Sequence, residues 1–566
     1  MAEVLGTALS IVGAVGVLGQ IFSGCITAYS LFTTASNLSR DSEKLTCKIR
    51  IEEMRLLVWG REWGVLEGRF EEVLRREEHV GNERLRGLAV QILSELYRTM
   101  TDFQRLRERY GVVEEGEGEG GKRVIEGGEG EREMEREKEK GSFGLGKLSL
   151  RSELSKRVKW VIGDKEKFTV LLQDLKDYND GLEQLFPPSR LATLHRTWTN
   201  ELLQGAHRDL GKLRILETAS SGVYPGLNIS ANLKQLKINL DEKETKNFKP
   251  TYTLKIQRHA LVIKNSDMGR THGQYKNPSL AEAQEIIVEW VEYEKEDLDA
   301  RLNHLRRIDD LARMIHSASD RHPDLQTIDC LGYTDDSTSS RYGLIYRTPT
   351  RSSSSSTLNA LISSNDFRTP DLDDRFKLAH TLSVALWSLH SLDWLHKNLC
   401  SSNILFFPSA YSKSPGISRE RENVPDIGTP YLLGFDASRP DHMSEMSIAS
   451  RNPAAANLHR HPSSLHSSSC PRKQYCKSFD IYSLGLVLLE IGLWKILQVY
   501  HKPHYSAERF RDKVVLQNLV PGLGSKVGRG YREVVERCLG VREDLTGVEA
   551  GVLMEFVVGR LEGLRV

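Results

Sequence analysis

The chain has 566 residues, 39% hydrophobic and 27% charged, which is enough for two to four globular domains with sizeable cores. Its 78 Lys and Arg residues nearly cancel its 77 Asp and Glu residues, so no global field marks it as a nucleic-acid binder and partners must be sought locally. Seven scattered cysteines (Cys25, Cys47, Cys330, Cys400, Cys470, Cys476 and Cys538) lack the spacing of a disulfide framework and favour the cytosol.

From Val4 to Leu38 there is no charged side chain, and Val4, Leu5, Leu9, Val12, Val15, Leu18 and Phe22 make its first half apolar on nearly every face. No basic region precedes it and no clean cleavage site follows, which argues against a secretory signal. The run approaches the roughly 20 apolar residues of a membrane span but is interrupted by Thr7, Ser10, Gln20 and several glycines. Three readings stay open: the buried helix of a bundle, the same helix releasable to a membrane, and a permanent span. The first two share one resting structure.

Helical patterning follows over Leu45 to Trp63 and Leu85 to Tyr110. Residues 114–140 are mostly Gly and charged side chains with little to bury, so they are predicted to be a disordered or solvated insertion. The pattern resumes at Lys156, and Trp160, Phe168, Leu171, Leu175, Leu182 and Leu185 recur at near-helical spacing until Pro187-Pro188. The apolar opening, Arg55-Leu56-Leu57-Val58-Trp59-Gly60, and Lys159-Trp160 with Asp164-Lys165-Glu166-Lys167-Phe168 together resemble the HeLo domain of fungal prion-inhibition and propagation proteins, the HET-s/LopB type, over residues 1–215. The resemblance implies an all-α bundle whose N-terminal helix leaves the core to attack membranes.

A charged connector near Leu240 to Pro250 divides the chain. Beyond it, Glu285 to Val291 reads as a strand, Asp297 to His316 as a helix, and Thr327 to Tyr333 and Tyr342 to Tyr346 as two further strands. This order resembles the small lobe of a protein kinase. Within the resemblance, Val291 falls where the phosphate-pairing Lys belongs; Lys264, in Leu261-Val262-Ile263-Lys264, is a weaker candidate for that role, and no glycine-rich phosphate loop is evident. After the low-complexity run Ser352 to Ser356, a helical stripe from Phe376 to Leu392 leads to His396-Lys397-Asn398-Leu399-Cys400-Ser401-Ser402-Asn403.

That stretch has the frame of the kinase catalytic loop, H-R-D-x-x-x-x-N, in which the Asp takes a hydroxyl proton and the Asn holds a metal ion. Asn398 replaces the Asp, and a neutral amide cannot act as a general base near pH 7. At the position of the metal-binding D-F-G, Leu433-Gly434-Phe435-Asp436 inverts the order, so Gly434 replaces the carboxylate and Asp436 follows two residues later. Asp480 opens an apolar run through Gly485 that matches the central kinase helix, where Asp480 is expected to brace the loop and cap the helix. His459, His461 and His466 near Cys470 and Cys476 lack zinc-module spacing and read as a polar loop.

The expected architecture is multidomain: an N-terminal all-α bundle over 1–215, a connector over 216–250, and an α+β kinase-like bilobal domain over 251–566, with lobes of about 251–350 and 351–566. The expected function is a fungal signalling or incompatibility-type cell-death protein in which a pseudokinase controls a membrane-active bundle, a pairing similar to the animal necroptosis effector. The alternative is a divergent active kinase using Lys264, Asn403 and Asp436. No catalytic residue and no metal site are expected from the degenerate loop, while ATP with Mg²⁺ is left open as a ligand at Asn403, Asp436 and Lys264. Expected partners are membrane lipids, further copies of the chain and an upstream protein activator, with a cytoplasmic resting place and movement to the membrane on activation.

Overall fold

The computed structural model describes residues 14–33, 40–76, 82–114, 160–242, 250–263, 270–276, 282–293, 298–319, 322–349, 354–408, 425–435, 458–465 and 474–564. Two compact units, Met1–Leu191 and Ala192–Val566, divide the chain.

The first unit is helical. Helix α1 (Ala14–Thr33) packs on α2 (Arg40–Glu62) and on α4 (Asn82–Thr101); α3 (Phe70–Arg76) lies between the latter two in sequence. Leu18, Phe22, Cys25, Ala28 and Tyr29 of α1 are all buried, as expected of a helix apolar on most faces. Phe22 occupies a socket made by a missing side chain: a Cβ on Gly60 would lie 2.2 Å from its ring. Its ring meets Trp59, which continues through Trp63 to Phe70 and Phe186. Val4, Leu5, Leu9 and Val12 of the apolar opening lie outside the described residues, as does the side chain of Val15.

The run from Leu85 to Tyr110 is two helices rather than one, because Asp102 accepts from Arg105 N and starts α5 (Phe103–Tyr110). Trp160 is not helical either. It lies in β2 (Trp160–Ile162), which pairs antiparallel with β1 (Val112–Glu114). Helix α6 begins at Lys165, where the Asp164 carboxylate accepts from Glu166 N and Lys167 N, and runs to Glu183. The buried Arg55 ties α2 to α6 by bonds to Glu52 (3.0 Å), Asp180 (2.6 Å) and both oxygens of Glu183 (2.9 and 2.7 Å).

Helix α7 (Pro188–Ala206) contains the division between the units. In the second unit α8 (Leu210–Ser220) packs on α9 (Pro225–Glu242), and Leu233 and Leu240 of α9 enter the same core as Ile308 and Ile315 of α10 (Leu298–Ser319). A five-stranded antiparallel sheet has the order β3 (Leu261–Ile263), β4 (Arg270–Tyr275), β5 (Gln284–Glu292), β7 (Arg341–Arg347), β6 (Cys330–Asp336). Alternation along β5 explains its two buried faces: Ile286, Val288 and Trp290 pack with Leu261 and Ile345, whereas Ile287 faces the main core. Helix α10 follows β5 and packs on β6.

The rest of this unit is mainly helical. A short sheet of β8 (Ser356–Thr357), β9 (Ile404–Phe406) and β10 (Tyr431–Leu432) lies beside α11 (Leu358–Ser363). Helices α12 (Leu372–Ser391), α13 (Lys477–Leu493), α14 (Val520–Leu539) and α15 (Gly547–Glu562) pack around a core in which α13 is buried on all sides. Gly485 allows α13 its close approach to α14, since a Cβ there would lie 2.8 Å from Cys538 Cβ.

Candidate functional site

The loop after α12 is held first by Asp480. This fully buried carboxylate accepts from His396 N and Lys397 N, each at 2.8 Å, and from the Tyr475 hydroxyl at 2.9 Å, with His390 Nε2 at 3.3 Å. Burial pushes its pKa up, but the hydrogen bond and charge of His390, with the other donors, outweigh burial and hold it below the usual carboxylate range. Asp480 does not cap its own helix. Cys476 occupies that position without a side-chain bond, because the carboxylate is aimed at the loop amides instead. Lys397 consequently sits in the left-handed region at φ 64°.

His396 is completely buried, its ring against Phe435 at 4.7 Å between centroids, and burial pushes its pKa down. Asn398 is buried; its backbone N donates to His396 Nδ1 at 3.3 Å, and its carbonyl accepts from Asn403 Nδ2 at 2.7 Å. The other side-chain atom of Asn403, Oδ1, accepts from Arg270 Nη2. Arg270 also donates to Ser402 O at 2.7 Å and to Glu289 Oε1 at 3.0 and 2.9 Å. Burial pushes the Arg270 pKa down, but the Glu289 carboxylate beside it more than compensates. Glu289 Oε2 in turn accepts from the Tyr346 hydroxyl at 3.3 Å and from Gly434 N at 3.4 Å.

Gly434 closes this arrangement from the other side. Its φ is 86°, and an added Cβ would lie 2.4 Å from Asn403 Nδ2. A side chain here has neither the backbone conformation nor the space it needs. Asn403 Nδ2 is thus donated to Asn398 O, and Oδ1 faces a guanidinium whose fixed positive charge disfavours a metal ion there.

Structure thus brings together His396, Asn398, Asn403, Gly434 and Asp480, while Lys264 and Asp436 lie outside the described residues. It adds Arg270 and Glu289, which no motif in the sequence marks. The kinase frame points to Val291 in β5, but Val291 packs on the core and Glu289 is the residue of that strand that reaches the loop network. Of the histidines read as a polar loop, His459 and His461 are buried, His459 bonding Glu490 at 2.9 Å and His461 stacking on Phe479 at 4.7 Å, while His466 and Cys470 lie outside the described residues.

The chain is therefore a helical bundle followed by an α+β unit whose central loop is saturated by its own side chains. Residues 10–216 match the HeLo family, described as prion-inhibition and propagation. A HeLo domain implies fungal cell-death or incompatibility signalling. Residues 279–551 match a domain of unknown function, DUF7580. No curated protein matches the chain.

Proposed function

We propose that this is a regulated cell-death protein of the incompatibility type, in which a pseudokinase-like C-terminal unit controls a membrane-active N-terminal bundle. The observation that carries the reading is the self-filled loop: Asn403 Oδ1 is engaged by Arg270, and Gly434 leaves no room for the carboxylate that a phosphotransferase needs. Kinase descent is supported by the five-strand order with α10 after the third strand, by Asp480 bracing the His396 loop, and by the ring of Phe435 on His396. The fold supports a former enzyme and the chemistry supports a switch.

Helix α1 supplies the membrane activity. Among the described residues no helix is long and apolar enough to cross a membrane. The burial of Leu18, Phe22 and Cys25 among neighbouring helices supports a helix released from its bundle rather than a standing span. Leu18 and Phe22 are covered in the bundle and become available only on release, and the sequence adds the apolar Val4, Leu5, Leu9, Val12 and Val15 before them. Insertion returns about 0.8 kcal/mol per CH₂ transferred to lipid. The protein rests in the cytoplasm, responds to an upstream protein activator, self-associates, and moves to the membrane.

The test is release of dye from anionic liposomes by the full chain. Leakage is expected, and Leu9→Glu or Val12→Glu is expected to abolish it. Absence of leakage under every condition, or leakage indifferent to both substitutions, overturns the proposal. Labelled ATP with Mg²⁺ addresses the enzyme alternative: phosphate transfer abolished by Asn403→Ala and Asp436→Ala would establish a kinase in its place.

A further inference from the structure

The two family matches end and begin at 216 and 279, so neither covers the residues between. That interval supplies part of the loop's external support, beside Asp480 and Lys477 of α13. It contains α9 and the strands β3 and β4, and it places a buried lysine at one end of the loop and a partly buried arginine at the other.

At the leading end stands Asp393, in the left-handed region at φ 55° and three residues before His396. Lys234 of α9 reaches it at 3.1 Å, and Lys477 of α13 reaches its other oxygen at 2.9 Å. Lys234 has a side chain only 2% exposed, and its ammonium also donates to Leu203 O of α7 at 3.0 Å. Burial pushes the Lys234 pKa down against the pull of Asp393. Burial pushes the Asp393 carboxyl up, yet Lys477 and Lys234 together hold it below the usual carboxylate range. At the trailing end Arg270 of β4 donates to Ser402 O and Asn403 Oδ1. A buried lysine is costly unless it is paired and hydrogen-bonded, as Lys234 is by Asp393 and Leu203 O.

We propose that α9 and β4 form the input arm of the C-terminal unit, gripping the Asp393–Asn403 loop at both ends through Lys234 and Arg270 so that a displacement of either element is transmitted to it. The loop is then the receiver of a conformational signal. This rests on the pseudokinase reading above, because a loop engaged in phosphate transfer would need Asn403 for a metal. Lys234 and Arg270 are positioning residues, Lys234 acting on Asp393 and Arg270 on Asn403.

Hydrogen exchange in the full chain tests the arm. The reporters are His396 and Lys397 amides, bound to Asp480, and Asn403 and Leu433 amides, bound to Cys400 O and Asn403 O. Lys234→Met should speed the first pair about tenfold and Arg270→Gln the second pair by about as much, with β5 and α13 unchanged. Lys234→Arg, which keeps the cation, should restore protection. Arg347→Gln, at the half-exposed Arg347–Asp329 pair, should leave all four reporters unmoved. Unchanged reporters in both cation-removing variants overturn the proposal, as does an equal loss of protection across β5 and α13, which would mean general destabilisation. Liposome leakage by the same variants separates the two readings. Loosened reporters with unaltered leakage leave the arm standing and sink control of the bundle; altered leakage with unmoved reporters does the reverse.

Discussion

Helix α1 and the Asp393–Asn403 loop are both buried, but they are held by different forces. The helix lies in its bundle through apolar surface: Leu18, Phe22, Ala28 and Tyr29 against α2 and α4, with Phe22 fitted over Gly60. Such contacts are non-directional, and a bilayer can replace them nearly in full. The loop is held by directed bonds from Asp480, Arg270 and Lys234. No other environment reproduces that set of partners. An apolar grip suits an element that must leave, and a polar grip suits one that must hold a register until a partner moves.

The sharpest exception to this division is Arg55, a polar tie inside the apolar bundle. Arg55→Met leaves Glu52 and Glu183 buried without their counter-charge, and the expected loss is about 3–5 kcal/mol in urea unfolding of the N-terminal unit. A loss below about 1 kcal/mol would show that water or rearrangement already compensates these carboxylates, and the contrast between the units would weaken. The next largest effect is expected at Gly434→Asp. Restoring the missing carboxylate should not restore metal binding, because the new Cβ meets Asn403 at φ 86°; it should cost about 3 kcal/mol, read by thermal shift with and without Mg²⁺ and ATP.

A smaller cost is expected at the socket of the helix. Gly60→Ala places a methyl against the Phe22 ring and should destabilise by about 1–3 kcal/mol, with faster amide exchange in α1 and a lower lipid threshold for leakage. Adding Phe22→Ala should cost less in the Gly60→Ala background than in the parent, since the two share one space. Additive costs would show that the socket does not govern the helix.

Much of this is readable from residue order, and the limits are physical. The loop frame and Asp480 are legible because their spacing is local, and the strands because β5, β6 and β7 carry apolar runs. Arg270 and Glu289 are not legible: β4 reads Arg-Thr-His-Gly-Gln-Tyr without an apolar run, and its partner Asn403 lies 133 residues away. Lys234 is not legible either: it lies in the stretch read as a connector over 216–250, and nothing near it in sequence marks the buried carboxylate of Asp393 as its partner. Trp160 reads as helical and is not, because a three-residue strand is defined by its partner, Glu114, rather than by its own periodicity. At Gly434 the lost carboxylate is visible in the sequence, while the reason that none can return lies in the approach of Asn403.

Acid offers the gentlest way to separate the two kinds of grip. His380 on α12 faces Arg196 of α7 and Asp324 of the turn before β6, with His322 close by, and Arg196 holds Asp324 at 2.7 and 2.9 Å. Burial, helped by Arg196, lowers the His380 pKa from 6.5 to about 4. A depressed folded value means that its stability is fully present above pH 6.5 and is lost as pH falls towards 4, because the unfolded chain takes up the proton first. Asp324, also lowered, keeps its contribution throughout that window and gives it up only in stronger acid. Between pH 7.5 and pH 5 the C-terminal unit should therefore lose about 1–2 kcal/mol through His380, and His380→Gln should remove that loss. The α1 packing, built from apolar side chains, should keep its amide protection over the same interval. Equal loosening of α1 and α12 on acidification would mean that the apolar and polar grips fail together, and that the helix is not released by forces separate from those that hold the loop.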